Sequence, residues 1–238
     1  MITANAAVAP LFDPGSRVLF QGDSITDMNR GRTADPNHIL GHSYCFILAA
    51  RHAAAFPERH LSFINRGVSG NQVTDLAARW KADTLDLHPN VLSILIGVND
   101  IAQTVNNNKP FDADQFAKTY DSLLAQARAA NPNLKLVLCE PFSLPGNHSS
   151  AHPQEWSAAM DRARAVVEKL AAQYHAPVVH FQKVFDDACK RAPADYWIWD
   201  GIHPTYAGQE LLADEWERAY LQFYGPPAST TQPATQPE

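Results

Sequence analysis

Residues 17–27 read RVLFQGDSITD, the pattern of a buried strand that ends in a polar turn. Its first part, at about residues 17–21, is rich in strand formers, and Gly22 ends the run. Ser24 follows at the point where the strand should end. Ligands of open α/β sheets bind outside the carboxyl ends of the strands. Ser24 is therefore a candidate nucleophile, provided that the chain supplies a base and donors for a developing oxyanion.

The rest of the chain alternates strand-like and helix-like segments. Strands are predicted at about 17–21, 61–64, 91–96, 134–139 and 177–181, helices at about 42–56, 71–84, 112–130, 154–173, 183–190 and 206–223, and polar loops at 28–41, 103–110 and 141–153. The apolar run VLSILI at 91–96 is typical of a central strand covered on both faces. This order predicts five parallel strands joined by right-handed crossovers, and hence a three-layer α/β/α fold.

Length and composition predict one domain. A chain of 238 residues can share a single core, and it needs no disulfide or metal to fold. We expect an irregular segment at 1–16, the folded domain at 17–224, and a disordered tail at 225–238, because this last stretch is rich in Pro, Thr and Gln.

Charge and sequence runs exclude several classes of partner. The formal net charge is −6 and no basic block occurs, which argues against nucleic acid binding. The N-terminus has no basic region followed by an apolar core, as a signal peptide would have, and no apolar run reaches the length of a membrane span. We therefore expect a cytoplasmic protein that does not bind membranes.

The three cysteines do not indicate a disulfide framework. Cys45, Cys139 and Cys189 are odd in number and widely spaced, and no CxxC metal pattern occurs. Cys139 ends an apolar run and is expected to be a small buried side chain.

Four polar clusters follow predicted strands or precede the last predicted helix. They are Gly-Asp-Ser at 22–24, Asn-Arg-Gly at 65–67, Gly-Val-Asn-Asp at 97–100 and Asp-Gly-Ile-His at 200–203. The carboxyl ends of neighbouring parallel strands share one edge of a sheet. We therefore expect all four clusters to meet at that edge.

These residue types are suited to acyl transfer. Ser24 would attack a carbonyl carbon, His203 would take its proton, and Asp200 would hold the imidazole and stabilise the imidazolium. The oxyanion would be met by the Ser24 N–H, the Gly67 N–H and the side-chain amide of Asn99. One such donor is typically worth about 2.7–4 kcal/mol in the transition state.

The four clusters resemble the signature blocks of the SGNH (GDSL) hydrolases, in that family's order and over about residues 17–222. The resemblance implies a flavodoxin-like α/β/α fold. It also implies ester hydrolysis without a metal or cofactor, with Ser24, Gly67, Asn99 and His203 as the functional residues and Asp200 as the third member of a triad. The G-x-S-x-G elbow of the α/β-hydrolases is absent, which favours the SGNH family.

Further stretches are similar to the bacterial acetylxylan and carbohydrate acetylesterases of that family. They are GHSY at 41–44, SGNQVTDLAARW at 69–80 and WDGIHPT at 199–205. This resemblance implies short acyl groups on small or oligosaccharide esters, and often a homo-oligomer. The polar loops at 28–41 and 141–153 agree with it, because a lipase for long chains should present an apolar groove or lid.

Two alternatives stay open. One is a lysophospholipase, thioesterase or arylesterase on the same fold, which preference for acyl chain length would distinguish. The other is a carbohydrate-binding protein without turnover, against which the intact Ser24, Asp200 and His203 argue. Fold analogy cannot choose the substrate.

Other polar side chains have structural interpretations. Ser69 is a rival nucleophile that we expect to cap the helix at 71–84, and we expect His180 to be a residue of the fifth strand. Exposure to solvent is predicted for His52, His60 and His88. Arg30, Arg32 and His38 in the first polar loop are candidates either for substrate contact or for exposure to solvent, and exposure is favoured.

Acidic and aromatic residues near the four clusters have two interpretations each. The spacing of Asp23, Asp27 and Asp100 matches no metal pattern, and hydrogen bonds to loop backbone around the site are expected. Trp197 and Trp199 are candidates either for the core or for the pocket, where an aromatic face would serve as a platform for a sugar ring.

Overall fold

The computed structural model describes residues 10–227. Within this range the chain forms a five-stranded parallel sheet with the strand order β2-β1-β3-β4-β5. The strands are β1 (Arg17–Gly22), β2 (Ser62–Asn65), β3 (Val91–Leu95), β4 (Lys135–Cys139) and β5 (Val178–Val179). This order is that of flavodoxin-like doubly wound sheets, so the predicted fold class is confirmed.

Helices cover both faces of the sheet. They are α1 (Ser24–Asp27), α2 (Tyr44–Ala55), α3 (Val73–Asp83), α4 (Val98–Val105), α5 (Ala113–Ala130), α6 (Pro153–Tyr174), α7 (Phe181–Ala188), α8 (Ala194–Trp197) and α9 (Tyr206–Tyr224). Packing of α2 against α9 forms one outer layer, and α5 with its neighbours α3 and α6 forms the other. The sheet continues to β2 on one side of β1 and to β3 on the other, and crossovers of one hand in these two directions put helices on opposite faces.

The core lies between these layers and the sheet. Every residue of β3 is buried, as the apolar run at 91–96 predicts. Beneath α9, the indole of Trp216 stacks on Tyr220 and donates from Nε1 to the Ser93 hydroxyl at 2.9 Å. The buried indole N–H therefore has an acceptor, which removes the cost of desolvating an unpaired donor.

Strand register brings the polar clusters to one edge of the sheet. β1 pairs with β2 on one side, with Phe20 opposite Asn65, and with β3 on the other, with Gly22 opposite Leu95. The segments that follow β1, β2 and β3, and that carry Ser24, Gly67 and Asn99, therefore leave the sheet beside one another.

Two local predictions are wrong. Residues 103–105 belong to α4 rather than to a polar loop, because Val98, Ile101 and Val105 recur at helical spacing and are all buried. The fifth strand spans only two residues, and His180 lies after it at the start of α7 with a side chain 44% exposed. Short apolar runs do not by themselves locate the end of a strand.

Packing also overturns the expected roles of two other side chains. His52 is buried rather than solvated, because its ring packs edge-on against Phe12 and its Nε2 lies 3.1 Å from Glu217 Oε1. The N-cap of α3 is Gln72, in a capping box with Asp75, and not Ser69. His60 and His88 are exposed as predicted, and Cys139 is buried and free.

The predictions for the ends of the chain concern mainly residues 1–9 and 228–238, which lie outside the described range, and the domain boundaries stay a prediction. Among the helices of residues 10–227, none has the length and apolar character to cross a membrane.

Candidate active site

The turn after β1 presents Ser24 at the edge of the sheet. Gly22 lets the chain turn tightly, since a Cβ there would lie 2.4 Å from Thr26 Oγ1 and 2.5 Å from the Leu95 carbonyl oxygen. Asp23 caps α1 by accepting the Ile25 N–H at 3.0 Å. Ser24 is the first helical residue, so its own N–H has no acceptor within the helix.

Ser24, His203 and Asp200 form one line of hydrogen bonds. The Ser24 Oγ lies 2.8 Å from His203 Nε2, and His203 Nδ1 lies 2.7 Å from Asp200 Oδ2. Ser24 and His203 are 179 positions apart in the chain, whereas Asp200 and His203 lie in one turn. The arrangement is that of a nucleophile, a base and an orienting acid.

Asp200 is held in place by its own turn. Its Oδ1 accepts the backbone N–H groups of Ile202 at 3.0 Å and His203 at 2.8 Å. Burial would raise the pKa of Asp200, which is only 3% exposed, but hydrogen bonds from His203 and Ile202 bring it below its usual value. An ionised Asp200 favours the proton on His203 Nδ1, which leaves the Nε2 lone pair facing Ser24.

Two loops hold Asp200 in position. The turn 198–204 is closed by a bridge between Ile198 and Pro204, and Gly201 adopts a φ of +95° there. The loop 141–153 packs directly on it: the Leu144 N–H donates to the Gly201 carbonyl at 3.0 Å, and a Cβ at Gly146 would lie 2.5 Å from the Asp200 carbonyl oxygen. The long polar loop predicted from the sequence therefore supports the Asp200 turn.

His148, in this same loop, also reaches the site. Its Nε2 lies 3.3 Å from Asp200 Oδ2, and its ring stands edge-on to that of His203 with the centroids 6.0 Å apart. The side chain is 43% exposed. The sequence reasoning did not single out His148, because nothing in the polar loop around it indicates proximity to Asp200.

The other two predicted oxyanion donors, the Gly67 N–H and the side-chain amide of Asn99 in α4, already have hydrogen-bond partners. The Gly67 N–H donates to Asn65 Oδ1 at 2.8 Å, and the Asn99 amide donates to the Asn71 carbonyl at 3.1 Å. An amide carries two hydrogens, so Asn99 keeps one for a second acceptor. The Gly67 N–H would have to be shared between Asn65 and an oxyanion.

Gly67 itself is required by close packing. A Cβ at this position would lie 2.4 Å from the Asp27 backbone nitrogen in α1. The Gly67 carbonyl oxygen accepts a hydrogen bond from Arg30 Nε at 2.8 Å. The Arg30 side chain is therefore largely buried, and the prediction that it is solvated is wrong.

Asp27 organises the loops on this side of the site. It accepts two bonds from the Arg32 guanidinium, at 3.0 and 2.7 Å, and bonds at 3.0 Å from both the N–H and the hydroxyl of Ser69. Arg32 is otherwise exposed, as predicted, and so is His38. Ser69 is thus a hydrogen-bond partner of a buried carboxylate that also accepts from Arg32.

Asp23 and Asp100 are buried carboxyl groups close to the nucleophile. Burial raises the pKa of Asp23 from 3.8 to about 7. The hydrogen bond from the Ile25 N–H lowers this pKa, and the charge of Asp100 raises it further. Burial likewise raises the pKa of Asp100 to about 6, although both of its oxygens accept the Val73 N–H at 3.1 and 3.2 Å. Both side chains bond loop or helix-start backbone, as predicted.

The two candidate aromatic residues differ in exposure. Trp197 is buried, whereas Trp199, directly before Asp200, is 64% exposed. Tyr206, at the start of α9, is 86% exposed. The structure thus assigns Trp197 to the core and leaves Trp199 at the surface beside the His203 turn.

An α/β/α sheet with serine, histidine and aspartate joined in this order at its carboxyl edge has the arrangement of a serine hydrolase. Residues 20–211 match the GDSL-like Lipase/Acylhydrolase family, and the chain belongs to this family. It is a carboxylic ester hydrolase.

Its relatives include proteins that are described as acetylxylan esterases. The acetylxylan esterase of Geobacillus stearothermophilus is 32% identical over 218 residues, which are 89% of this chain and 94% of that protein. A crystal structure of an acetylxylan esterase from the same organism has a TM-score of 0.76 at 29% identity, over 87% of this chain and 95% of that chain. A putative GDSL-like lipase from Parabacteroides merdae has a TM-score of 0.82 at 36% identity, over 88% of this chain and 97% of that chain.

Proposed function

We propose that this protein is a serine esterase that removes small acyl groups, in particular acetyl groups, from carbohydrates. The observation that carries the proposal is the line from Ser24 Oγ to His203 Nε2 at 2.8 Å and from His203 Nδ1 to Asp200 Oδ2 at 2.7 Å. In this proposal Ser24 is the nucleophile, His203 the general base and acid, and Asp200 the group that orients the imidazole.

The first half of the reaction forms an acyl-enzyme. Ser24 Oγ attacks the ester carbonyl carbon while its proton passes to His203 Nε2, and the carbonyl π electrons move to the oxygen. The resulting imidazolium is stabilised by the Asp200 carboxylate. As the tetrahedral intermediate collapses, the C–O bond to the sugar breaks, and His203 gives its proton to the leaving alkoxide oxygen.

The second half returns the enzyme to its starting state. Water attacks the acyl carbon, His203 takes a proton from that water, and the collapse releases the acid while Ser24 Oγ regains a proton. Each half creates an oxyanion. In this proposal the second amide hydrogen of Asn99 and the Ser24 N–H are its donors, with the Gly67 N–H as a shared one.

Three observations support a carbohydrate substrate. The acetylxylan esterases described above match this chain over most of its length. The loops 28–41 and 141–153 near the site are polar, and this does not suit a long acyl chain. The exposed indole of Trp199 provides a flat apolar face beside the His203 turn, which suits the apolar face of a sugar ring.

The test compares acyl groups and leaving groups on the purified chain. We expect faster hydrolysis of p-nitrophenyl acetate than of esters with long acyl chains, and release of acetate from acetylated xylo-oligosaccharides. A preference for long-chain esters, or no acetate release from any acetylated oligosaccharide, would contradict the proposed substrate class.

A serine-directed fluorophosphonate tests the nucleophile. We expect rapid labelling of the wild-type chain and none of Ser24→Ala, whose circular dichroism should match wild type. Ser69→Ala is the matched control, because it removes a neighbouring hydroxyl that bonds Asp27, and it should still be labelled. Turnover by a folded Ser24→Ala variant would refute the mechanism.

A further inference from the structure

We propose that His148, Asp200 and His203 form a binding site for Zn²⁺ or a similar transition-metal ion, and that metal binding there reversibly inhibits the esterase. The inhibitory part of this proposal rests on the proposed function, in which Ser24, His203 and Asp200 catalyse ester hydrolysis. The binding part does not, since it concerns only the side chains of these three residues.

The donor atoms have the spacing that a metal site needs. His148, Asp200 and His203 each offer one ligand atom, and these atoms lie within 4.8 Å of one another. Zn–N and Zn–O bonds of about 2.0–2.1 Å in a tetrahedron put neighbouring ligand atoms about 3.3 Å apart. His148 Nε2 lies 3.3 Å from Asp200 Oδ2. The His203 Nδ1 to Asp200 Oδ2 distance of 2.7 Å would have to lengthen by about 0.6 Å.

The donors differ in how they are held and in how exposed they are. Asp200 and His203 are held by the turn 198–204, in which Asp200 Oδ1 accepts two backbone N–H groups. Since Oδ1 carries these bonds, Oδ2 is the oxygen that faces both histidine rings. His148 is the most exposed of the three, 43% accessible, so an ion reaches the group from the solvent side of its ring.

The ligand set selects the class of metal. Two imidazole nitrogens and one carboxylate oxygen suit Zn²⁺, Cu²⁺ or Co²⁺, whereas Mg²⁺ and Ca²⁺ prefer oxygen ligands. With both imidazoles neutral and Asp200 ionised, the site carries one negative charge that partly compensates the ion. We therefore expect Zn²⁺ to bind and Mg²⁺ not to compete at equal concentration.

Metal binding would prevent His203 from acting as a base, because it would change which ring nitrogen carries the proton. Bonding of His203 Nδ1 to the ion uses the nitrogen that otherwise carries the proton. A neutral ring then holds its proton on Nε2, which faces Ser24 Oγ at 2.8 Å. Nε2–H can no longer accept the Ser24 proton. Because the ion binds on the far side of the imidazole from Ser24, kcat should fall while KM for a small ester stays the same.

A second group of donors in residues 10–227 provides a control. Glu140, Glu168 and His180 also bring three ligand atoms together, with His180 Nδ1 3.4 Å from Glu140 and 3.5 Å from Glu168. Glu140 there already accepts the Gln182 N–H at 2.9 Å. This group offers one nitrogen ligand, whereas His148, Asp200 and His203 offer two, so it suits Zn²⁺ less well.

The experiment is a calorimetric titration of the full chain with ZnCl₂, together with Co²⁺ absorption spectra. The variants are His148→Gln, His148→Ala and the matched control His180→Gln. We expect wild type and His180→Gln to bind equally, and both His148 variants to bind at least about tenfold more weakly. Loss of binding in His180→Gln with retention in the His148 variants would overturn the proposal.

Kinetics test the inhibitory part, with each variant compared with its own metal-free rate. Zn²⁺ should lower kcat for p-nitrophenyl acetate at constant KM, EDTA should restore it, and the His148 variants should require at least about tenfold more Zn²⁺. Equal sensitivity of wild type and His148→Gln would refute the assignment. If the chain hydrolysed no ester, the proposed function would fail while the titration still decided the binding site.

Discussion

Replacement of Asp23 by asparagine should change how the stability of the protein depends on pH. Asp23 is 1% exposed, its Oδ1 accepts the Ile25 N–H, and its Oδ2 has no hydrogen-bond partner within residues 10–227. Burial therefore disfavours its ionised form. Asparagine keeps the shape and the oxygen that caps α1, but it carries no charge at any pH.

The magnitude follows from the pKa. Burial raises the pKa of Asp23 from 3.8 to about 7, so the folded state holds a proton that the unfolded state loses between these values. A raised pKa means that wild-type stability falls as pH rises through this window. The difference of about 3 in pKa corresponds to about 4 kcal/mol, which is fully expressed above pH 7 and absent below about pH 4.

Urea denaturation of wild type and Asp23→Asn at several pH values between 4 and 8 measures this effect. The free energy of unfolding of the variant should rise relative to wild type by about 4 kcal/mol across the range. The matched control is Asp112→Asn, the same substitution at the exposed N-cap of α5. A difference between Asp23→Asn and wild type that stays constant from pH 4 to 8 would refute the reasoning.

Three further outcomes are expected. Gly67→Ala should lower stability by about 1–3 kcal/mol in urea denaturation and lower kcat, because its Cβ would lie 2.4 Å from the Asp27 nitrogen; unchanged stability would contradict the packing. Asp200→Asn should lower kcat by about 10⁴-fold in steady-state assays, since it removes the acceptor that sets the His203 tautomer; a loss below tenfold would contradict that role. Trp199→Ala should raise KM about 2- to 10-fold for acetylated xylo-oligosaccharides but not for p-nitrophenyl acetate; equal changes for both would exclude a sugar platform.

The predicted fold follows from patterns that are local in the chain. The five apolar runs and the helical periodicities between them each involve fewer than about twenty residues. Parallel pairing and right-handed crossovers then leave few arrangements for such an order. The four polar clusters are also local, and their places after β1, β2 and β3 and before α9 bring them to one edge of the sheet.

Local patterns in the sequence thus predict the fold class and the candidates Ser24, Asp200 and His203. The contacts among the loops around them follow from tertiary packing. His148 contacts Asp200, Arg30 is buried against Gly67, and the Gly67 N–H already has an acceptor in Asn65. These contacts depend on how irregular loops pack, and no periodicity of the residues indicates that. Tertiary packing supplies the neighbours of a polar side chain. These neighbours set its burial and its hydrogen-bond partners, and therefore also the pKa of a carboxyl group such as that of Asp23.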